Sequence, residues 1–411
     1  MEIIQSFLLS FKLIFSSNPN FDIYYFFGVF AVLWYLWRRR EKLPKILLFW
    51  VPFAIVGVGL FAVRCMIGLT QISSNSIETL STALIKLFLC ITIMIFVAYN
   101  CANWDISKWA GSIALWHVVL TFLAVLMPDS RFWYIQKYEG ATVRRMQLLY
   151  QSPSALSFVC GMVVLILVYQ IAKEGVLWQY LAAIAVMIID MFYSYSMAGI
   201  LTTILGVAVI VIAHIGRKVT KKSRLIIPII AIVSISTVII LVTPGYLYRV
   251  SQLLMGRDVG IQYKIFRPVN ELMKNLQTTH LLGTGMGSRT EDYANSFIDF
   301  ASECGVAGVI VVALIIIGLI YASFKRGTLI EKVLAVYAIV MQLTGGDFYD
   351  PINYFIYGWI LAHTVYNNSQ LSNNVSMRLD RKLSIAMIGA GGIIGTTKKI
   401  LENKGFGESR I

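Results

Sequence analysis

The sequence predicts an all-α, polytopic integral membrane bundle of eleven or twelve transmembrane helices with two larger external loops. Three observations carry this. Apolar runs recur along the whole chain, and runs of about 17–25 such residues are long enough to cross a bilayer as helices. Charged residues make up 14% of the chain and hydrophobic residues 58%, against about 25% and roughly 45–50% in an average soluble domain. Clusters of lysine and arginine fall between the runs in an alternating pattern. Little is left for a separate soluble domain, so one membrane domain over 1–368 and a basic cytoplasmic tail over 369–411 are expected.

The first clear run is 21–37, FDIYYFFGVFAVLWYLW, closed by Arg38, Arg39 and Arg40. The segment 3–17 before it is apolar but short and carries Lys12, so it is either an extra span or an interfacial helix. Further runs lie at 45–63, 79–99, 110–127, 153–172, 177–195, 197–214, 225–243, 303–323, 330–345 and 352–368. Basic residues in short loops mark the cytoplasmic side. With Arg38–Arg40, Lys42 and Lys45 inside, alternation also places the cluster RKVTKKSR at 217–224, Lys325, Arg326 and the tail inside. The +14 formal charge therefore belongs to cytoplasmic loops, and a nucleic-acid partner is not expected.

The same alternation leaves two longer loops outside, at about 128–152 and about 244–302. Both go against the charge rule. The first carries Arg131, Arg144 and Arg145, and the second Arg249, Arg257, Arg267 and Arg289. Arginines gathered on the disfavoured side point to anion binding. Ser152-Pro153 reads as a helix start, since serine caps and proline suits the first turn. Arg145, one short loop earlier, is then expected at the outer surface, facing a cavity between spans.

Within the second loop, Tyr263, Phe266, Val269, Leu272, Met273 and Leu276 recur at spacings of three and four, which predicts an amphipathic helix over 263–277. Next comes HLLGTGMGS, with Gly283, Gly285 and Gly287 at every second position. Glycine permits close turns or exposed amides. The run lacks the lysine and Ser/Thr of a P-loop, and it lies on the external side.

Other classes find less support. The five cysteines are scattered without a CxxC pair, and no His-x-x-His spacing occurs, so neither a disulfide framework nor a metal site is indicated. No internal repeat is evident, which weakens an inverted-repeat transporter. Lys86, His117, Asp190, His214 and His363 lie inside runs, at scattered depths, and they form no evident relay. The tail's GAGGIIG, inside 384–406, resembles a nucleotide-binding start, but the chain ends before a second strand could form.

In their order, these residues resemble the bacterial O-antigen polymerase and ligase superfamily, membrane glycosyltransferases of the GT-C type. The matching features are Arg145 to Pro153 before a span, a long external loop, LLGTGMG, then NSF and ECGVAG opening the next span. The likeness covers about 130–325. Arg267 followed by Gly283 is similar to an arginine–glycine spacing in the polymerases' second large loop. Two departures matter. Ala294-Asn295 stands where the ligase branch carries His-Asn, which favours polymerase, and Ser196-Met197 stands where the family often has Ser-Arg.

The resemblance implies a metal-independent glycosyltransferase of the bacterial inner membrane with its active site facing the periplasm. It would join undecaprenyl-pyrophosphate-linked oligosaccharide repeat units, with membrane lipid and a chain-length regulator protein as partners and no cofactor. Arg145, Arg257 and Arg267 are the expected catalytic contacts to pyrophosphate or sugar. Arg144, Arg289, Gly283, Gly285 and Asn295 are expected around the substrate. Glu291, Asp292, His280 and Glu303 are the candidates for the general base. The ligase, a capsule or exopolysaccharide polymerase, and a transporter of a lipid-linked anionic substrate are the alternatives.

Overall fold

The computed structural model describes residues 43–100, 106–130, 132–138, 141–148, 150, 152–175, 178–215, 255, 266–288, 295–345, 348–350 and 353–362. The runs 3–17, 21–37 and 225–243, most of the 244–302 loop and the 369–411 tail lie outside the described residues.

The described chain is mostly helical. α1 is Leu43–Met66, α2 Ser74–Asn100 and α3 Ile106–Leu126. A small hairpin follows, β1 Trp133–Tyr138 and β2 Ala141–Met146, paired antiparallel with Tyr134 opposite Arg145. Then come α4 Pro153–Glu174, α5 Trp178–Tyr193, α6 Met197–Ile215, α7 Arg267–Thr278, α8 Ser296–Arg326 and α9 Leu329–Thr344. Residues 353–362 are helical too and are called α10.

Four of these helices, α1, α2, α4 and α8, are long and apolar enough to cross a membrane. Shorter apolar helices lie at Ala110–Leu126, Trp178–Tyr193 and Met197–Ala213. Among the described residues, the runs at 45–63, 110–127, 153–172, 177–195, 197–214 and 330–345 are helices within about four residues of their expected bounds. The described chain is mostly helical as expected, with one addition, the β1–β2 hairpin in the segment expected as a loop at about 128–152. A correction concerns the run expected at 303–323. Its helix begins at Ser296, capped by Asn295, whose Oδ1 accepts from Ile298 N at 3.2 Å. Glu303 therefore sits two turns inside α8 rather than at its start.

Local chemistry explains the boundaries. Ser73 and Ser76 exchange side-chain-to-backbone hydrogen bonds across the first turn of α2 (3.0 and 3.2 Å), a serine version of the capping box. Ser152 caps α4 by accepting from Ala155 N at 3.2 Å, with Pro153 as the first helical residue. At the start of α9, Thr328 N donates to the Glu331 carboxylate.

α4 is the central helix, buried on nearly all sides against α5, α6 and α9. Its contact with α6 is close because Gly161 and Gly199 leave the facing side chains room. A Cβ on Gly161 would stand 2.1 Å from Thr203 Oγ1, and one on Gly199 would stand 2.1 Å from Ser157 Oγ. Small residues at such crossings let helices approach without a competing side chain. α1 and α8 differ, presenting Leu48, Ile55, Leu314 and Ile317 outward, each more than 60% exposed. Apolar faces of that kind suit lipid.

Several helix ends meet on one side of the bundle. The C-terminus of α9 meets the N-terminus of α4, where a Cβ on Gly345 would lie 3.3 Å from Ser154 Cβ. Ser296 at the head of α8 donates to Gln342 O near the end of α9 at 3.2 Å. Asn353 at the head of α10 donates to Gln342 Oε1 at 3.1 Å. Lys45, Lys173, Lys325 and Lys332 lie at the opposite helix ends.

Candidate functional site

Beneath the hairpin, the shared end holds a buried polar layer. Arg144 and Arg145 are neighbours on β2, so strand alternation sends their side chains to opposite faces. Arg144 is half exposed and pairs with the exposed Asp129 at 3.3 Å. Arg145 turns inward, is buried, and donates from Nε to Ser194 O at 2.8 Å. Ser194 follows the last residue of α5, so the guanidinium sits where the helix dipole is negative. The two arginines are thus unlike: one is open to a ligand, and the other ties the hairpin to the α5–α6 turn.

Next to this tie lies a cluster that sequence reasoning missed. His117 of α3 and Asp190 of α5, expected to form no relay, are in direct contact. His117 Nδ1 is 2.6 Å from Asp190 Oδ2, and both side chains are 0% exposed. Thr121 Oγ1 donates to the other carboxylate oxygen at 2.6 Å. On the far side of the ring, His117 Nε2 is 3.0 Å from the Tyr150 hydroxyl. Cys160 Sγ lies 3.8 Å from Nδ1. Burial pushes the Tyr150 phenol well above its ordinary value, and Cys160, Asp190 and Asp350 add to that shift. Tyr150 therefore stays a phenol rather than a phenolate.

His117, Cys160 and Asp190 offer three ligand atoms within 4.8 Å of one another, a grouping that no sequence spacing indicated. The fit to an ion is poor. Two ligands of one tetrahedral ion, each about 2 Å from it, stand roughly 3.3 Å apart. The 2.6 Å between Nδ1 and Oδ2 is instead a hydrogen bond.

The glycine run forms a second part of this end. Gly283, Gly285 and Gly287 have φ of 75°, 108° and 80°. They turn the chain against α8, which breaks at Gly305 (φ 61°, ψ −143°). The break frees carbonyls that an unbroken helix would use, and the loop takes them. Thr284 N donates to Ser302 O at 2.9 Å and Gly285 N to Glu303 O at 2.8 Å, while Val306 N donates back to Leu281 O at 3.0 Å. The Glu303 side chain completes the lock, since its Oε2 accepts from Gly287 N at 2.9 Å and Tyr349 OH at 2.6 Å. Arg64 of α1 donates to Gly283 O and, at 2.9 Å, to Thr70 Oγ1. These loop amides are engaged with the protein itself, so the run is a wall rather than a phosphate cradle.

Other expected site residues are spread around these two parts. Arg267 is the first residue of α7 and is exposed, beside a concavity also lined by Phe266, Asn270 and Glu271. α7 is amphipathic as expected, and Asn275 holds it to α8 by donating to Ser302 Oγ at 2.8 Å. Phe266, Val269 and Met273 remain exposed. His280 is exposed with φ of 50°, and Asn295 is the buried cap of α8. Arg131, Arg249, Arg257, Arg289, Glu291 and Asp292 lie outside the described residues. Buried Asp299 and Asp350 lie in the same polar layer, and sequence reasoning singled out neither. No protein-family model matches the chain, and no curated protein matches it.

Proposed function

We propose that the protein is a surface-polysaccharide polymerase of the O-antigen type, acting on the periplasmic face of a bacterial inner membrane. The single observation that carries this reading is the convergence at one helix end of the arginine-bearing hairpin, the capped head of α4 and the glycine wall against α8. Those are the three motifs whose order in the sequence resembles that superfamily. The lysines at the opposite helix ends support an external position for this end. The eleven or twelve spans and two external loops belong to the same proposal.

In this reading a hydroxyl at the non-reducing end of a new lipid-linked repeat unit attacks the anomeric carbon of the growing chain. The bond from that carbon to undecaprenyl pyrophosphate breaks, and the leaving group departs with its electron pair. Exposed Arg144 and Arg267 are suited to its phosphate oxygens, because guanidinium groups bind them bidentately and stay charged. Arg145 holds the hairpin in place. The exposed Phe266–Val269–Met273 stripe on α7 suits the membrane interface, next to the carrier lipid.

Gel analysis of surface polysaccharide from a deletion strain tests the reading. A core bearing a single repeat unit is the expected result, a core bearing none indicates a ligase, and an unchanged ladder overturns both. A second reading, a proton-coupled transporter of a lipid-linked anion, is favoured by the buried His117–Asp190 pair, since ionisable groups within spans mark pathways. Uptake of labelled lipid-linked sugar into vesicles at an imposed pH gradient separates it from the polymerase.

A further inference from the structure

We propose that Glu271 is the general base of the transfer, taking the proton of the attacking sugar hydroxyl in the open concavity at the head of α7. This rests on the transferase reading above and supplies the base that reading lacks.

Among the described residues the concavity is lined by Phe266, Arg267, Asn270 and Glu271, and it measures about 350 Å³. Small-molecule sites usually fall at about 300–1,000 Å³. Solvent reaches all four residues: Phe266 is 62% exposed, Arg267 and Asn270 are exposed, and Glu271 is partly exposed. Arg267 and Glu271 are four positions apart and so share one helix face, about 6 Å from each other along the axis. They do not quench each other, since the Glu271 carboxylate makes no ion pair or hydrogen bond with another described residue. Arginine before glutamate is also the less favourable order for such a pair.

That spacing divides the chemistry between them. Displacement at an anomeric carbon needs the attacking and leaving oxygens on opposite sides of that carbon. Arg267 meets the phosphate oxygens of the leaving group, and Glu271, one turn on, meets the attacking hydroxyl. Asn270 offers its amide to other sugar hydroxyls, and the Phe266 ring offers an apolar surface to the C–H face of the sugar. Phe266 also belongs to the exposed stripe of α7, so sugar and carrier lipid meet at that ring.

Other candidates for the base fit less well. Glu303 is 2% exposed, with Oε2 already accepting from Gly287 N and Tyr349 OH. His280 lies past the far end of α7, whose 12 residues span about 18 Å. The helix itself is a fixed platform. Asn275 donates to Ser302 Oγ of α8 at 2.8 Å, Leu281 N to Leu276 O at 2.8 Å and Gly283 N to Thr279 Oγ1 at 3.0 Å. The concavity is therefore held in register with the glycine wall, as a positioned base requires.

Protons and electrons balance. The acceptor oxygen bonds to the anomeric carbon as its proton passes to a Glu271 carboxylate oxygen. The bond from that carbon to the pyrophosphate breaks, and its electron pair leaves on the pyrophosphate. Glu271 then gives its proton to the departing pyrophosphate or to water.

The test uses membranes of a deletion strain carrying the full chain or its Glu271→Gln, Glu271→Ala, Asn270→Ala and Lys274→Ala variants, with the strain's own lipid-linked repeat units as substrate. Protein amount and detergent melting are recorded for each. Glu271→Gln keeps the shape of the side chain and removes its basicity. We expect it and Glu271→Ala to lower the rate of polymer formation about 10²- to 10⁴-fold, the usual worth of general acid–base catalysis. Added formate, a small carboxylate, should raise the rate of Glu271→Ala and leave Glu271→Gln unchanged, which a merely structural role would not produce. Asn270→Ala should raise KM more than it lowers kcat, and Lys274→Ala, outside the concavity, should keep the wild-type rate. A wild-type rate in Glu271→Gln, no rescue of Glu271→Ala by formate, or an equal loss in Lys274→Ala each overturns the base while leaving the polymerase reading standing. A normal ladder in the deletion strain overturns that reading, and the role of Glu271 falls with it.

Discussion

Replacing Gly305 by alanine tests the loop–helix lock directly. Gly305 has φ of 61° and ψ of −143°, a backbone region that is close to glycine-only and costs another residue roughly 1–3 kcal/mol. The added Cβ would also stand 2.1 Å from Leu281 O, 2.6 Å from Leu282 C and 2.7 Å from Gly283 N. All three are backbone atoms, so relief requires the whole loop to move, and such overpacking costs about 1–3 kcal/mol. Movement would also strain the Gly285–Glu303 and Val306–Leu281 hydrogen bonds, each worth about 0.5–1.5 kcal/mol net. Together these effects come to roughly 3–9 kcal/mol. Gly318 on the same helix is the internal control, because a Cβ there meets nothing within 4 Å. Gly318→Ala should be neutral or stabilising by up to about 1 kcal/mol through helix propensity. The assay is thermal unfolding of the two purified variants in one detergent, followed by tryptophan fluorescence. Equal melting temperatures would refute the proposition that the loop is locked into the break.

Further substitutions bear on the site. Arg145→Ala removes a buried charged donor from Ser194 O and should destabilise the protein by about 1.5–3 kcal/mol. Arg144→Ala, at an exposed ion pair, should change stability by less than about 1 kcal/mol, so side-by-side melting curves should separate these two neighbours. Arg267→Ala should abolish long-chain polysaccharide while protein remains in the membrane, and Arg267→Lys should rescue poorly if bidentate geometry matters. A normal ladder in the alanine variant removes Arg267 from the site. Glu303→Gln should weaken the Gly287 and Tyr349 contacts by about 1–3 kcal/mol in total, measured as a lowered melting temperature. An unchanged one would show that the carboxylate charge contributes nothing to the lock.

Whatever a local rule governs is legible in the sequence. The apolar runs at 45–63, 153–172 and 197–214 are helices at almost those bounds, and Ser152-Pro153 opens α4. α8 begins earlier than its apolar run implies. Hydropathy detects the run from 303 onward, whereas Ser296, Asp299 and Ser302 make the first two turns polar, and the Asn295 cap sets the true start. The hairpin escapes for a different reason. WYIQKY and ATVRRM are too polar to register as spans and too short to register as helices, and only their pairing around a two-residue connection reveals them. The His117–Asp190 contact has no local signal at all. Its partners are 73 positions apart on different helices, and only the packing of α3 against α5 brings them together. The glycine run is legible as a turn but not as a lock, because its counterpart is a break in a helix that by composition should be continuous.

That break has a consequence for depth. As one unbroken rod, the 31 residues of α8 would reach about 46 Å at about 1.5 Å per residue, well beyond a hydrocarbon core of about 30 Å. Cut at Gly305, the stretch from Val306 to Arg326 measures about 30 Å, which matches that core. In the membrane reading proposed above, the preceding stub, with its Asn295 cap, Asp299 and Glu303, would then stand clear of the hydrocarbon at headgroup level. In that reading Gly305 would act as a waterline, dividing one helix into a segment for lipid and a segment for the polar world above it.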